Sequence, residues 1–417
     1  MNIKNLISCA LCGLTLFACS PSGGEKDAEM DCFITDLMER MTLREKLGQL
    51  NLPSGGDLVT GSVMNGELSD MIRKQEIGGF FNVKGIQKIN ALQHLAVEES
   101  RLKIPLLVGA DVIHGYETIF PIPLALSCSW DTLAVERMAR ISAIEASADG
   151  INWTFSPMVD ICRDARWGRV GETFGEDPYL ISEMGIAFIN GYQKNRITCM
   201  PKHFVAHGTP SGGLNCAQVS GGERELRSLY LYPFRRVIKE TNPLALMTCY
   251  SAYDGVAITG SPYYMTDILR GELGFKGYVY SDWGSVDRLK TFHAITPETD
   301  EAGRLALEAG VDLNIDSAYD NFERMVQEGR LDIKYIDLAV RRILTVKFQL
   351  GLFDAPYGDP KAVSKVVRSA EKVALAKEIA DESAILLENK NQILPLDWAK
   401  YKSIAVVGPN SNQTIYG

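Results

Sequence analysis

Leu106-Leu107-Val108-Gly109-Ala110-Asp111 is a short apolar run closed by a carboxylate. It is too short for a helix and lacks polar alternation, so it reads as a strand buried on both faces, the habit of a parallel sheet wrapped by helices. Working outward, comparable runs recur at 79–83, 153–158, 199–204, 244–250, 278–282 and 311–315, with 49–52 as a candidate first strand. Enough chain separates them for intervening helices. Of these, 131–148 opens on Asp131 as an N-cap, and 336–350 sets Ile336, Ala339, Val340, Ile343, Leu344 and Phe348 on one face. About eight strands alternating with helices favour an α/β fold of the (β/α)8 TIM-like barrel type over 30–353, with an open doubly wound sheet as the alternative.

The flanks read differently. Residues 1–19 form a signal peptide: Lys4 supplies the positive region, and 6–17 is an apolar stretch too short to span a bilayer. It ends Leu16-Phe17-Ala18-Cys19, similar to a lipoprotein cleavage box in which Cys19 takes the lipid; the alternative is an ordinary signal peptide cut near Ala18. Residues 20–29, with Pro, Ser, Gly and charge, read as a flexible tether. After the barrel, 354–388 reads as a linker followed by a helix to about 387. In the last segment, 389–417, Ser403-Ile404-Ala405-Val406-Val407-Gly408-Pro409 reads as a buried strand opening a second α/β sandwich domain. One strand cannot cover its own faces, so that domain is expected to be incomplete, a truncation after its first strand.

Composition narrows the function. With 417 residues and 46% hydrophobic content the chain can bury a large core. A net charge of -9 with no basic run argues against a nucleic-acid partner. Membrane contact is expected only through the lipid anchor. Of the nine cysteines, Cys9, Cys12 and Cys19 fall in the signal region. Cys32, Cys128, Cys162, Cys199, Cys216 and Cys249 are scattered without metal-ligand spacing. Several of them read as small buried residues at strand ends, although an exported protein could pair some of them.

In a barrel of this kind, side chains at the C-terminal ends of the strands converge on one pocket. Asp111, Lys202-His203, Tyr250 and Asp282 all close apolar runs. Any one could cap a helix; together, with both charge signs, they suggest a site. A retaining glycosidase needs a carboxylate that attacks the anomeric carbon and a second carboxyl about 5 Å away that donates and then accepts a proton. Asp282, in Ser281-Asp282-Trp283-Gly284, suits the first role, with Trp283 offering a face for a sugar ring. Asp111 can accept from sugar hydroxyls, while Lys202, His203 and Arg169 can donate.

The ordered motifs extend this reading. They are Met41-Thr42-Leu43-Arg44-Glu45-Lys46-Leu47-Gly48-Gln49-Leu50, Asp111-Val112-Ile113-His114-Gly115, Trp153-Thr154-Phe155-Ser156-Pro157-Met158-Val159-Asp160, Arg166-Trp167-Gly168-Arg169, Phe174-Gly175-Glu176-Asp177-Pro178-Tyr179, Lys202-His203-Phe204 and Ser281-Asp282-Trp283-Gly284. In this order they resemble glycoside hydrolase family 3, in its exported bacterial β-glucosidase branch. The resemblance implies Asp282 as nucleophile, with Asp111, Arg169, Lys202, His203 and Tyr250 holding the glycosyl unit beside the cleaved bond, and Glu172 and Trp283 as further members. It implies a β-linked oligosaccharide or glycoside as substrate, no cofactor, and a periplasmic or outer-membrane-anchored location. Arg163, Asp164, Arg166, Glu176 and Asp177 read instead as a salt-bridge network shaping their loop.

The resemblance has a gap. In two-domain members of the family the general acid/base is a Glu of the second domain, beyond its first strand. Members that cleave N-acetylglucosaminides carry an Asp-His pair after the Lys-His-Phe strand, where this chain has Thr209-Pro210-Ser211-Gly212-Gly213-Leu214-Asn215-Cys216-Ala217-Gln218. His207 reads as a loop hydrogen-bonder rather than a proton donor. The expected activity is therefore an exo-acting β-glucosidase, with a glycan-binding lipoprotein or pseudoenzyme as the alternative and a β-N-acetylglucosaminidase behind both.

Overall fold

A computed structural model describes residues 23–55, 68–315 and 317–413. Four short strands, β1 (Gly79–Phe81), β2 (Leu107–Ala110), β3 (Trp153–Thr154) and β4 (Thr198–Cys199), lie side by side in parallel, in chain order. Phe204, beyond β4, bridges in parallel to Thr248, beyond β5 (Ala245–Met247). A hairpin of β6 (Ala252–Tyr253) and β7 (Val256–Ala257) follows, turning on Asp254-Gly255, both at positive φ as such a tight turn requires. β5 then pairs in parallel with β8 (Tyr278–Tyr280). Parallel bridges Tyr280–Leu313, Asn51–Asn314 and Ser54–Phe81 close the circle. Among the described residues the ring thus has eight parallel segments, and the closed barrel prevails over the open sheet.

Each expected strand is present at its place but is shorter in the ladder than its apolar run. The upper ends, 111, 155–158, 202–204 and 248–250, leave the regular pairing and become the loops that carry the polar side chains. Inside the barrel the cross-section is filled by rings: Trp153 packs edge-on against Phe155 and Tyr280, with centroids 4.6 and 4.9 Å apart, and against Tyr278 at 5.5 Å. Room for Phe155 exists because Gly109 faces it; a Cβ there would lie 2.7 Å from the ring. Burial of such aromatic side chains is worth roughly 2–3 kcal/mol each.

The outer helices follow the sequence pattern. Helix Thr132–Ala148 starts where Asp131 accepts from the N–H groups of Leu133 and Ala134, and helix Ile333–Gln349 buries Ile336, Ala339, Val340, Ile343 and Leu344. Below the barrel, Asp312 accepts from Arg270, Arg342 and the backbone N–H of Val279, so its buried charge is fully paired.

Two expectations fail at the flanks. The stretch 20–29 is not a tether throughout, because helix Gly23–Arg40 begins within it. That helix buries Ile34 and Leu37 and sets Phe33 against Phe348 and Phe353, and this packing extends the helix backward through polar residues. Residues 403–409 form neither a strand nor a buried run: Val406 is 72% exposed and Val407 87%, and no ladder partner for them exists among the described residues. An apolar run becomes a strand only when a neighbouring strand takes its hydrogen bonds. The helix after the linker spans Ala370–Glu382, short of 387, and docks on the barrel through Leu375 and Ile379. The six described cysteines are free thiols, Cys162, Cys199, Cys216 and Cys249 being buried, Cys128 half-buried and Cys32 exposed. Cys19 lies outside the described residues, within which no helix is long and apolar enough to cross a membrane.

Candidate active site

The upper mouth of the barrel opens into a cavity of about 440 Å³, within the range of small-molecule sites. All eight residues expected at the site line it: Asp111 beyond β2, Arg169 and Glu172 from the loop after β3, Lys202 and His203 beyond β4, Tyr250 beyond β5, and Asp282 and Trp283 beyond β8. Apolar and aromatic residues complete the wall, among them Phe81, Phe155, Met247 and Tyr280. Trp283 stands edge-on to Phe81 with centroids 5.6 Å apart.

Asp282 is tied down by one oxygen. Its Oδ1 accepts from the Tyr250 hydroxyl at 2.7 Å and from the Trp283 backbone N–H at 2.6 Å. Its Oδ2 has no donor among the described residues. Burial raises the Asp282 pKa above the usual carboxylate value, while the charge of Arg169 and the Tyr250 hydroxyl pull it back.

Arg169 organises the opposite wall. Its Nε and Nη2 donate to the two oxygens of Glu172 at 2.8 and 2.9 Å, a fork that fixes the guanidinium plane. Although burial works against it, this guanidinium holds the Glu172 carboxyl below its usual range. Nη2 also lies 3.3 Å from His203 Nε2. Arginine can only donate, so His203 Nε2 is the acceptor and the ring proton sits on Nδ1. There it meets Asp160 Oδ2 at 2.8 Å. His203 Nε2 is also 3.3 Å from Asp282 Oδ2, but an unprotonated nitrogen makes no hydrogen bond to it. Burial, then the neighbouring Arg169 charge, keep the His203 pKa well below 6.5, in keeping with a neutral ring. Lys202 reaches Asp111 at 3.4 Å. Together these groups offer a sugar-sized hollow with cationic donors, a carboxylate acceptor and one carboxylate oxygen left free.

Residues 42–346 match the family profile described as the glycosyl hydrolase family 3 N terminal domain. The chain belongs to glycosyl hydrolase family 3. Among curated relatives of this family, it is 38% identical over 392 residues to the periplasmic beta-glucosidase of Salmonella typhimurium, covering 91% of this chain and 50% of that protein. A beta-xylosidase of Formosa agariphila is 37% identical over 78% of this chain and 49% of its own length. Among solved structures, the beta-glucosidase of Listeria innocua in complex with isofagomine superposes with a TM-score of 0.82 at 37% identity, over 87% of this chain and 52% of that one. This family 3 chain therefore spans about half the length of the relatives it matches.

The charged loop residues set aside earlier do stay out of the cavity. Arg166 pairs with Asp164 at 2.7 Å, Arg163 with Glu225 at 2.7 Å, and Asp177 caps helix Pro178–Gln193. What sequence reasoning missed is Asp160, which stands behind His203 and holds its tautomer. The signal was present, since Asp160 closes an apolar run as Asp111 and Asp282 do. His207 does hydrogen-bond in its loop, to Ser251. Among the described residues no group of three or more His, Cys, Asp or Glu is placed to hold a metal ion.

Proposed function

We propose that this family 3 chain carries the glycosyl-binding and nucleophilic half of a retaining, exo-acting β-glycosidase of glucosidase type, acting on terminal non-reducing β-D-glucosyl residues in carbohydrate breakdown. The observation that carries it is Asp282, with Oδ1 held by two donors and Oδ2 free inside a pocket rich in hydroxyl-binding groups. Oδ2 attacks the anomeric carbon and displaces the aglycone oxygen, giving a glycosyl ester on Asp282. Water then attacks the same carbon and gives up one proton to solvent, returning the carboxylate and releasing the sugar with retained configuration. Asp111 and the bare Nε2 of His203 accept from the hydroxyls, Lys202 and Arg169 donate to them, and Trp283 stacks on the ring face. The names of the Salmonella and Listeria relatives favour glucose over xylose.

The departing oxygen needs a proton, and no group among the described residues is assigned to supply it. Asp111 accepts from Lys202 and Glu172 from Arg169, so the carboxylates of the pocket are engaged as acceptors. The family resemblance assigns that role to a Glu of a second domain. For this reason nitrophenyl glycosides, whose leaving groups depart without protonation, are the discriminating substrates. Hydrolysis of nitrophenyl β-glucoside and β-xyloside by the chain, lost in Asp282→Ala, together with a mass increase on treatment with a 2-deoxy-2-fluoroglucoside, would support the assignment; unchanged turnover in Asp282→Ala would sink it. Because no acid is assigned, a second reading remains a glycan-binding lipoprotein, favoured by glucose binding without turnover. We further propose export to the periplasm with a lipid on Cys19; labelled palmitate that still enters a Cys19→Ala variant would refute the anchor.

A further inference from the structure

We propose that His207 is a positioning residue for this reaction, bracing the sugar-binding wall from behind through an unprotonated Nε2. The inference rests on the glycosidase reading of the Asp282 pocket. His207 is fully buried and does not line the cavity. Its ring stands edge-on to His203, Trp167 and Tyr250, with centroids 4.7, 5.2 and 5.7 Å apart. Its Nε2 lies 3.5 Å from Arg169 Nη1, and its Nδ1 3.1 Å from Ser251 Oγ. One imidazole therefore touches Arg169, His203 and Tyr250, which are the partners of Glu172, Asp160 and Asp282 respectively.

The hydrogen-bond logic fixes its protonation. Arg169 Nη1 has only N–H groups to offer, so Nε2 must accept, and the proton resides on Nδ1 facing Ser251. The other tautomer would set N–H against N–H, and a charged ring would set cation against cation. His203 presents Nε2 to Nη2 in the same way. The guanidinium is thus gripped by Glu172 on one side and by two neutral imidazoles on another. Ser251 follows Tyr250 in the chain, so the Nδ1 bond also ties the brace to the backbone that aims the Tyr250 hydroxyl at Asp282. This burial is also the first cause of a His207 pKa held well below 6.5, with the Arg169 charge adding to it.

The test uses the full chain and two substitutions. In His207→Phe the ring volume remains and the acceptor is gone; in His207→Gln the amide oxygen stands where Nε2 was. Glucose titrated calorimetrically should bind His207→Phe about tenfold more weakly, the size of one lost hydrogen bond to a charged group. With nitrophenyl β-glucoside KM should rise more than kcat falls, and His207→Gln should recover to within about threefold of wild type. A His207→Phe variant that melts like wild type and binds glucose equally well overturns the proposal, as does a well-folded His207→Gln no better than Phe. Nitrogen NMR of the imidazoles, assigned by loss of the His207 signal in the variants, should show Nδ1 protonated and Nε2 bare. A protonated Nε2 overturns the brace even if wild type binds no glucose, an outcome that would separately remove the glycosidase reading.

Discussion

Asp160 Oδ2 receives both the backbone N–H and the Nδ1–H of His203, at 3.0 and 2.8 Å, with both residues buried. A single carboxylate oxygen thereby fixes the ring's orientation and its tautomer, and leaves Nε2 as an acceptor toward Arg169. Burial pushes the Asp160 pKa up to about 7, against the pull of Arg169 and of the His203 N–H. The proton between the two side chains sits on Nδ1 of a neutral ring, as the Arg169 contact at Nε2 requires.

Removing that oxygen should separate stability from binding. Asp160→Ala strands two buried donors, and a loss of about 2–5 kcal/mol in urea unfolding is expected. Asp160→Asn keeps the volume and one acceptor oxygen, so it should fold with a smaller loss, yet bind glucose about tenfold more weakly because a neutral amide oxygen holds the His203 Nδ1–H less firmly than a carboxylate. Equal glucose affinity in Asp160→Asn and wild type would show that the pair is structural alone.

Tyr250 makes a sharper case because its hydroxyl donates directly to Asp282. A donor to a carboxylate favours the ionised form, so Tyr250→Phe raises the Asp282 pKa. The reaction needs the carboxylate, and its rate climbs as pH rises through that pKa. The acid limb of the kcat/KM profile should therefore move to higher pH, with kcat lowered about tenfold or more on an activated aryl glycoside. An acid limb that stays in place would mean the hydroxyl does not hold the reacting group.

Glu172 tests the other wall. It and Arg169 are only partly exposed, at 32% and 23%, and their bond is two-pronged, so this pair should matter more than a surface ion pair. Glu172→Gln leaves one acceptor for two donors. The guanidinium then loses its fixed plane, and KM for nitrophenyl β-glucoside should rise several-fold with a smaller change in kcat. A KM equal to that of wild type would confine Glu172 to a structural part.

How legible this was in the sequence depended on what fixed each feature. Strand positions were readable because both faces of a barrel strand are apolar, and the residue ending each run lands at the mouth. This placed Asp111, Lys202, Tyr250 and Asp282 without any contact being known. Asp160 closes an apolar run like the others but was not assigned, since its role is to orient a side chain beyond the neighbouring strand, a pairing distant in sequence. His207 could be read only as a hydrogen-bonder for the same reason. The errors at 20–29 and 403–409 were tertiary: in the first, packing on Phe348 and Phe353 made a helix from a polar stretch, and in the second, an apolar run found no partner strand.

Lys347 offers a test of the barrel floor that is independent of any sugar. It is fully buried, and its Nζ donates to Gln49 Oε1 and to the Gly78 carbonyl, each at 2.7 Å, with no carboxylate among these partners. Burial pushes its pKa down from 10.5 to about 7. Below pH 7 both folded and unfolded chains hold the proton, and this group adds no slope. Between pH 7 and about 10.5 the unfolded chain still binds a proton that the folded chain has released, so stability rises with pH across that window. Lys347→Met has no such group, although it leaves both oxygens unpaired. The stability of wild type relative to Lys347→Met should therefore increase from pH 7 to pH 10, by up to about 4 kcal/mol. Urea midpoints of the two proteins across that range would show it, since other titrating groups cancel in the difference. A gap that stays constant from pH 7 to pH 10 would mean that the lysine keeps its charge inside the barrel.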